Sequence, residues 1–350
     1  MGFIKKCKTS LGADAEPQIL KDIKQLKLEK YITEIAPAVF EGLLRCKTAA
    51  DVASAINIIS SLHTRFPDTF TPQLASILVK SLAAPSSKHL ASLTPEQREK
   101  DEQTRISKQR VLLRVVGEMY LSGLFWGIDT QPDGIGGIKS SIGLKNLAGE
   151  SGASKSTGSA ATVSLSALQV KDVLAQPGFS LFYGTLYGMC DHEQHHNAQL
   201  YMALLKYFAN DLALPEHASI EESVASIVLE DGVRVVTQEQ CNLLKSLVDR
   251  YYSTMSKRLV KMHNILRKLE RRNEERLFNR GQLHEEAQEK QKRWATVFER
   301  FNEQVTFVSE QLGKPLLELP EEDEENKLNI NFGAANVGGN KDGSSLANTP

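Results

Sequence analysis

No part of this 350-residue chain is apolar for long enough to cross a bilayer, which takes about 20 consecutive apolar residues. The opening "MGFIKKCKTS" is too polar for a secretory signal. A soluble, cytoplasmic protein is therefore expected. Cysteine is scarce: Cys7, Cys46, Cys190 and Cys241 stand far apart with no CxxC pair, which argues against a zinc ribbon or disulfide framework and for reduced thiols. An excess of one charge is also missing, because 42 Lys and Arg face 43 Asp and Glu for a formal net charge of −1. That excludes a uniformly basic nucleic-acid binder but leaves room for a local basic face. Sustained strand alternation is absent too, with "VRVV" (233–236) and "LNINF" (328–332) as brief candidates.

What the chain does have is helical periodicity. Val52, Ile56, Ile59, Leu62 and Phe66 recur at steps of three and four, and Thr48 with Asp51 forms a capping-box signal in front of them. Thr71 reads as the next N-cap with Pro72 at the first helical position, and "TPEQ" (94–97) repeats that start signal. Leu112, Val115, Met119 and Trp126 make the stripe that follows, and "FSLFYGTLYGMC" pairs with "NAQLYMALLKYF". The most regular pattern comes last. Leu244, Val248, Tyr251, Met255, Leu259, Met262, Leu266 and Leu269 form one stripe, Trp294, Phe298, Phe301, Val305, Val308 and Leu312 another, and "NRGQL" turns between them. The prediction is an all-α protein, an α-solenoid of HEAT-like antiparallel helix hairpins in a right-handed stack. No strict repeat is visible, so an irregular bundle remains the alternative. One domain is expected over 1–317, with a flexible Gly/Ser/Ala-rich insertion at about 127–163. A disordered linker, acidic and then Gly/Asn-rich, is expected over 318–350.

His192, Glu193 and His196 spell H-E-x-x-H, which on a helix would set two imidazoles on one zinc with a glutamate to activate its water. The setting argues against a zinc peptidase. "DHEQHH" falls between two apolar stripes and reads as an exposed polar turn, with Asp191 or Asn197 free to cap. The metzincin continuation fails at Gln199 and Met202, although Glu216, Glu221 and Glu222 lie within reach as a third ligand. "GIGGIKSS" (134–141) is not a phosphate loop, because Ile138 stands where glycine must precede the lysine. No nucleophile, base and orienter can be assembled, so no enzyme, cofactor or metal is expected. The candidate surface is basic: Lys257, Arg258, Lys261, Arg267, Lys268, Arg271, Arg272, Arg276 and Arg280 crowd one helix against Glu270, Glu274 and Glu275. Such a face suits RNA phosphates, an acidic partner, or water alone.

Four blocks carry a resemblance: "FIKKCKTS", "LEKYITEIAPAVFEGLL", "DVASAINIISSLHTRFPDTFTPQL" and "NEERLFNRGQLHEEAQEKQKRWATVFERF". Together they resemble the first middle domain of the up-frameshift-two family of nonsense-mediated mRNA decay factors, which is of the MIF-4G type. The likeness runs from about Phe3 to about Pro320. It implies stacked HEAT-like hairpins and a non-enzymatic scaffold that works through proteins of the mRNA surveillance complex. The family's known partner-binding regions lie in other domains, so no binding residue carries over to this chain. The Gly-rich insertion departs from the compact family pattern, and "CDHEQHHNAQL" falls where the family has an inter-helix turn.

Overall fold

The computed structural model describes residues 2–125, 172–174, 176, 178–190, 195–219 and 236–319, and no strand occurs among them. Trp126, the insertion expected at 127–163, the strand candidates at 233–235 and 328–332, and the linker from 320 onward lie outside the described residues. Those residues form α1 (Gly2–Thr9), α2 (Glu16–Gln25), α3 (Ile32–Leu43), α4 (Ala49–Arg65), α5 (Phe70–Leu82), α6 (Ser87–Ala91) and α7 (Pro95–Leu121). Then come α8 (Phe179–Met189), α9 (Ala198–Phe208), α10 (Gln238–Arg280) and α11 (Glu285–Leu312), and a single 3-10 turn spans Glu29–Tyr31.

Three threonines begin helices by the same chemistry. Thr48 Oγ accepts from the Asp51 amide at 3.1 Å while the Asp51 carboxylate accepts from the Thr48 amide at 3.0 Å, closing the expected capping box of α4. Thr94 with Gln97 does this for α7, and Thr237 with Gln240 for α10. Each box satisfies two amides that a helix start would otherwise orphan, for about 1 kcal/mol. The start expected at Thr71 is corrected. Helix α5 begins at Phe70, whose side chain is fully buried and whose amide donates to the Phe66 carbonyl at 3.0 Å. Thr71 lies inside the first turn, buried, with its hydroxyl 2.8 Å from His63 Nδ1. Burying the Phe70 ring draws the chain into helix early. Pro72 stays in the first turn, where a missing N–H leaves no bond unmade.

The helices stack as five hairpins in two layers. In one layer α1 packs on α3, α3 on α5, α5 on α8 and α8 on α10; in the other α2 packs on α4, α4 on α7, α7 on α9 and α9 on α11. Each hairpin thus meets its neighbours in sequence, the solenoid pattern rather than an irregular bundle, and one apolar core runs from Phe3 to Leu312. Polar clamps hold the layers in register. The Arg65 guanidinium at the end of α4 donates to the Ile23 carbonyl, to the Leu26 carbonyl at 2.7 Å and to Glu29 at 2.8 Å. The Tyr120 ring stacks on Phe182 at 4.1 Å, and its hydroxyl donates to Gln240 at 3.0 Å, the residue that also caps α10. The final hairpin turns at Gly281, whose φ of 69° places it in the left-handed region that glycine adopts without strain.

Close packing of α7 on α9 depends on Gly117, since a methyl there would fall 2.2 Å from the Phe208 ring. Phe208 is itself buried, so the ring has no solvent to swing into. Gly117→Ala is expected to destabilise the fold by about 1–3 kcal/mol through overpacking, although alanine is the better helix former. Urea denaturation followed by helical circular dichroism checks this, and an unchanged or higher midpoint would contradict it.

Candidate interaction surface

The histidine-rich segment does not form the helix that a peptidase motif requires at its described end. Helix α9 starts only at Ala198; His195 and His196 precede it in a turn, and the Ala198 amide donates to the His195 carbonyl at 3.1 Å. His192 and Glu193 lie outside the described residues, and no three His, Cys, Asp or Glu side chains gather at one point among those described.

The described end of the turn, 195–197, is not exposed, which corrects the sequence expectation there. His195 is only 6% exposed, and its ring packs between Tyr251 at 5.1 Å and Phe301 at 5.7 Å. Its φ of 53° is a left-handed conformation that costs a non-glycine residue about 1 kcal/mol or more, and ring burial offsets that cost. Asn197 is 1% exposed, and its side chain makes no N-cap bond to α9. Its amide donates to the Met189 carbonyl at 2.9 Å and its oxygen accepts from Arg105 at 2.5 Å. Arg105 also donates to the His196 carbonyl at 3.2 Å and to Gln109 at 2.7 Å, and Gln109 reaches the Ser81 carbonyl at 2.7 Å. Burial lowers the pKa of the Arg105 guanidinium, partly countered by Glu102 and Asp101. This relay ties the ends of α5 and α8 to α7 and α9. The described end of the segment that looks catalytic, 195–197, is a structural joint.

Thiol chemistry is suppressed in the same way. Burial pushes the thiol of Cys7 up to about 12 and those of Cys46 and Cys241 to about 11, so all three stay protonated at neutral pH and are poor nucleophiles.

The nine candidate cations all lie on α10, and the structure separates them. Arg258 is half-buried with its guanidinium 5.8 Å from the Phe301 ring, and Arg267 pairs with Glu270 at 3.2 Å. Arg271 is half-buried and already engaged. Lys257, Lys261, Lys268, Arg272, Arg276 and Arg280 are exposed and make no ion pair among the described residues. At 100° per residue, Lys257, Lys261, Lys268 and Arg272 fall within about 60° of one another, opposite the stripe of Met255, Leu259, Met262 and Leu266 that faces the core. Two features escaped the sequence. Phe278 and Leu277 are exposed at the hairpin tip, although the apolar stripe was expected to end at Leu269. A groove of about 400 Å³ opens between α7, α9 and α11, with Arg110, Lys206 and Arg300 around Met202, Tyr207 and Phe307. It joins three helices distant in sequence, so no local pattern announces it.

No family model matches the chain. Among curated proteins it is 27% identical to nonsense-mediated mRNA decay protein 2 of Saccharomyces cerevisiae over 91% of its length, and 36% identical over 35% of its length to the Schizosaccharomyces pombe protein of that name. It is 21% identical to human regulator of nonsense transcripts 2 over 91% of its length. The chain spans only 12%, 25% and 20% of the fission-yeast, budding-yeast and human relatives respectively. Among solved structures it superposes on the N-terminal mIF4G domain of S. cerevisiae Upf2, a protein involved in the degradation of mRNAs containing premature stop codons. The TM-score is 0.61 and the identity 24%, over 92% of this chain and 89% of that one. The first MIF4G domain of human UPF2 gives 0.57 and 19%, over 91% and 83%. The chain thus has the all-α, HEAT-like MIF4G fold, and in sequence and fold it resembles the first such domain of the Upf2 proteins.

The joint at Asn197 makes a direct prediction. Asn197→Ala removes a partner from the Arg105 guanidinium and from the Met189 carbonyl together, and is expected to cost about 2–4 kcal/mol of stability. Thermal and urea unfolding measure it; a loss under about 0.5 kcal/mol, the range of ordinary surface substitutions, would show that the relay is dispensable.

Proposed function

We propose that this chain, with the MIF4G fold and the sequence likeness just described, is a non-catalytic scaffold domain of the nonsense-mediated mRNA decay machinery. It acts in the cytoplasm through contacts with proteins of the surveillance complex. The observation that carries the proposal is the likeness to decay factors across 91% of the chain, which coincides with the span over which the fold matches. The physical setting supports it. Two layers of helices on one core present a long lateral surface, and solenoids use such surfaces to hold partners. The expected result of a pull-down from cell extract is a set of decay-factor partners that survives ribonuclease. Loss of every partner on nuclease treatment would overturn the scaffold reading.

A second reading is direct, sequence-independent binding of RNA by α10, and the six unpaired cations are the observation that favours it. Each phosphate neutralised releases counterions, so raising salt from about 50 to 200 mM is expected to weaken a multi-contact complex by orders of magnitude. Reversing Lys261, Lys268 and Arg272 to glutamate is expected to abolish such binding without unfolding the helix, since all three point away from the buried stripe. A titration that the triple variant leaves unchanged would remove RNA from this face.

A further inference from the structure

Helix α9 is 11 residues long, about 16 Å, and packs between α7 of 27 residues and α11 of 28. Gln199, Met202, Lys206 and Tyr207 share its outer face at helical spacing and floor the groove of about 400 Å³, whose walls are Arg110 of α7 and Arg300 and Phe307 of α11. The apolar part of this lining is incompletely covered. Met202 and Phe307 are half-buried, Tyr207 is 36% exposed, and Val297, three residues before Arg300 on the same side of α11, is 54% exposed. An apolar strip rimmed by charge is what sets interaction sites apart from scattered surface residues. The rim charge is unbalanced as well. Arg300 pairs with Glu102 at 3.7 Å, and Arg114, whose guanidinium lies 5.4 Å from the Tyr207 ring, pairs with Glu118 at 3.8 Å. Arg110 donates to Gln199 at 3.2 Å, but neither it nor Lys206 makes an ion pair among the described residues. Against these two cations the groove lining sets one carboxylate, Glu303.

We propose that this groove docks an acidic peptide segment of a partner protein, with aliphatic side chains seated on Met202, Tyr207 and Phe307 and carboxylates reaching Arg110 and Lys206. The proposal rests on the scaffold reading and names the chemistry of one of its partners. Each half of the ligand answers a feature of the groove. The apolar floor gains by losing its remaining contact with water, and the two rim cations gain the carboxylates they lack, Arg110 through its planar fork and Lys206 as a point charge. RNA fits less well. The Arg114 guanidinium already lies over the Tyr207 ring and Phe307 is half-buried in the wall, so neither ring offers a base the open face that stacking uses. The cations stand on a rim around Glu303 instead of following a line that a phosphate backbone could track.

The test is fluorescence anisotropy of the full chain, at physiological salt, with a labelled glutamate-rich peptide of about 15 residues carrying three leucines one helical turn apart. The parent is expected to bind it, and to bind the same peptide with serine in place of leucine about tenfold more weakly or worse. Arg110→Glu with Lys206→Glu is expected to weaken binding by about tenfold or more. Glu303→Gln is expected to tighten it, and reversal of Lys261, Lys268 and Arg272 on α10 to leave it unchanged. Arg110, Lys206 and Glu303 are exposed, so these variants should keep the parent's melting temperature. Equal binding of the leucine-free peptide, or a loss caused by the α10 reversal and not by the groove variant, overturns the proposal. So does binding of an oligouridine, and not of the peptide, that the groove variant abolishes. If the peptide binds only after Glu321, Glu322, Asp323, Glu324 and Glu325 are replaced by their amides, the occupant is the chain's own acidic run. If the peptide does not bind and the groove variant dissociates a dimer of the parent, the occupant is a second copy; either result removes the partner peptide. Absence of peptide binding alongside decay-factor partners that survive ribonuclease would sink the groove and leave the scaffold reading standing.

Discussion

A helix that leans on one neighbour can hide only a stripe of its surface, a little over 100° wide, and this limit shapes the C-terminal hairpin. The lower part of α10 is enclosed on more than one side: Tyr201 of α9 donates to the Val248 carbonyl at 2.8 Å and packs its ring 4.4 Å from that of Tyr251. Above Met255 the chief neighbour is α11, so one face of α10 stays apolar and the rest must be polar. Lysine and arginine suit that exposed surface because their stems lie along the helix while the charge remains in water. The contact changes character near the tip. Leu269 is only half-buried, and at Asn273 a buried amide takes over, donating to Gln291 at 2.7 Å and to the Ala287 carbonyl at 3.4 Å. An amide pair fixes register through direction, which a row of leucines does less well.

Much of this architecture could be read from sequence because its causes are local. Thr48, Thr94 and Thr237 each precede an acceptor side chain at the third helical position, and the capping box is a short-range geometry that two residues specify. The stripe from Leu244 to Leu266 is legible because helical period and burial coincide there. The failures are non-local. Thr71 looks like a cap until the buried Phe70 ring and the His63 imidazole are placed beside it. Asn197 and His195 look like turn residues because their partners, Arg105, Tyr251 and Phe301, lie far away in sequence. Among the candidate cations, the sequence could count nine but not separate those engaged with Glu270 or Phe301 from those left to solvent.

The H-E-x-x-H pattern shows why a motif needs its local structure. Two imidazoles four residues apart converge only if the chain between them is helical. Here the second histidine belongs to a turn whose dihedrals serve another purpose, sending the His195 ring inward and the Asn197 amide to the end of α8. Small, polar and bent residues are what such a joint requires, and they are also what metal-ligand patterns are made of.

The relay through that joint bears on how a solenoid can act as a scaffold at all. Stacked hairpins touch chiefly their neighbours, so small rotations at each interface add along the stack and would blur the spacing between distant surfaces. Arg65 fastens α4 to the end of α2, Arg105 joins the ends of α5 and α8 to α7 and α9, and Tyr120 and Gln240 bind α7 to α10. Each contact is directional, and those of Tyr120 with Gln240 and of Asn197 with Met189 are buried, where a hydrogen bond resists distortion more than a greasy interface does. These clamps carry the frame through to the long hairpin. Its exposed cations and its tip are therefore held at a set distance from the N-terminal hairpins, which is the property a scaffold needs if partners on different faces are to be kept in a fixed relation.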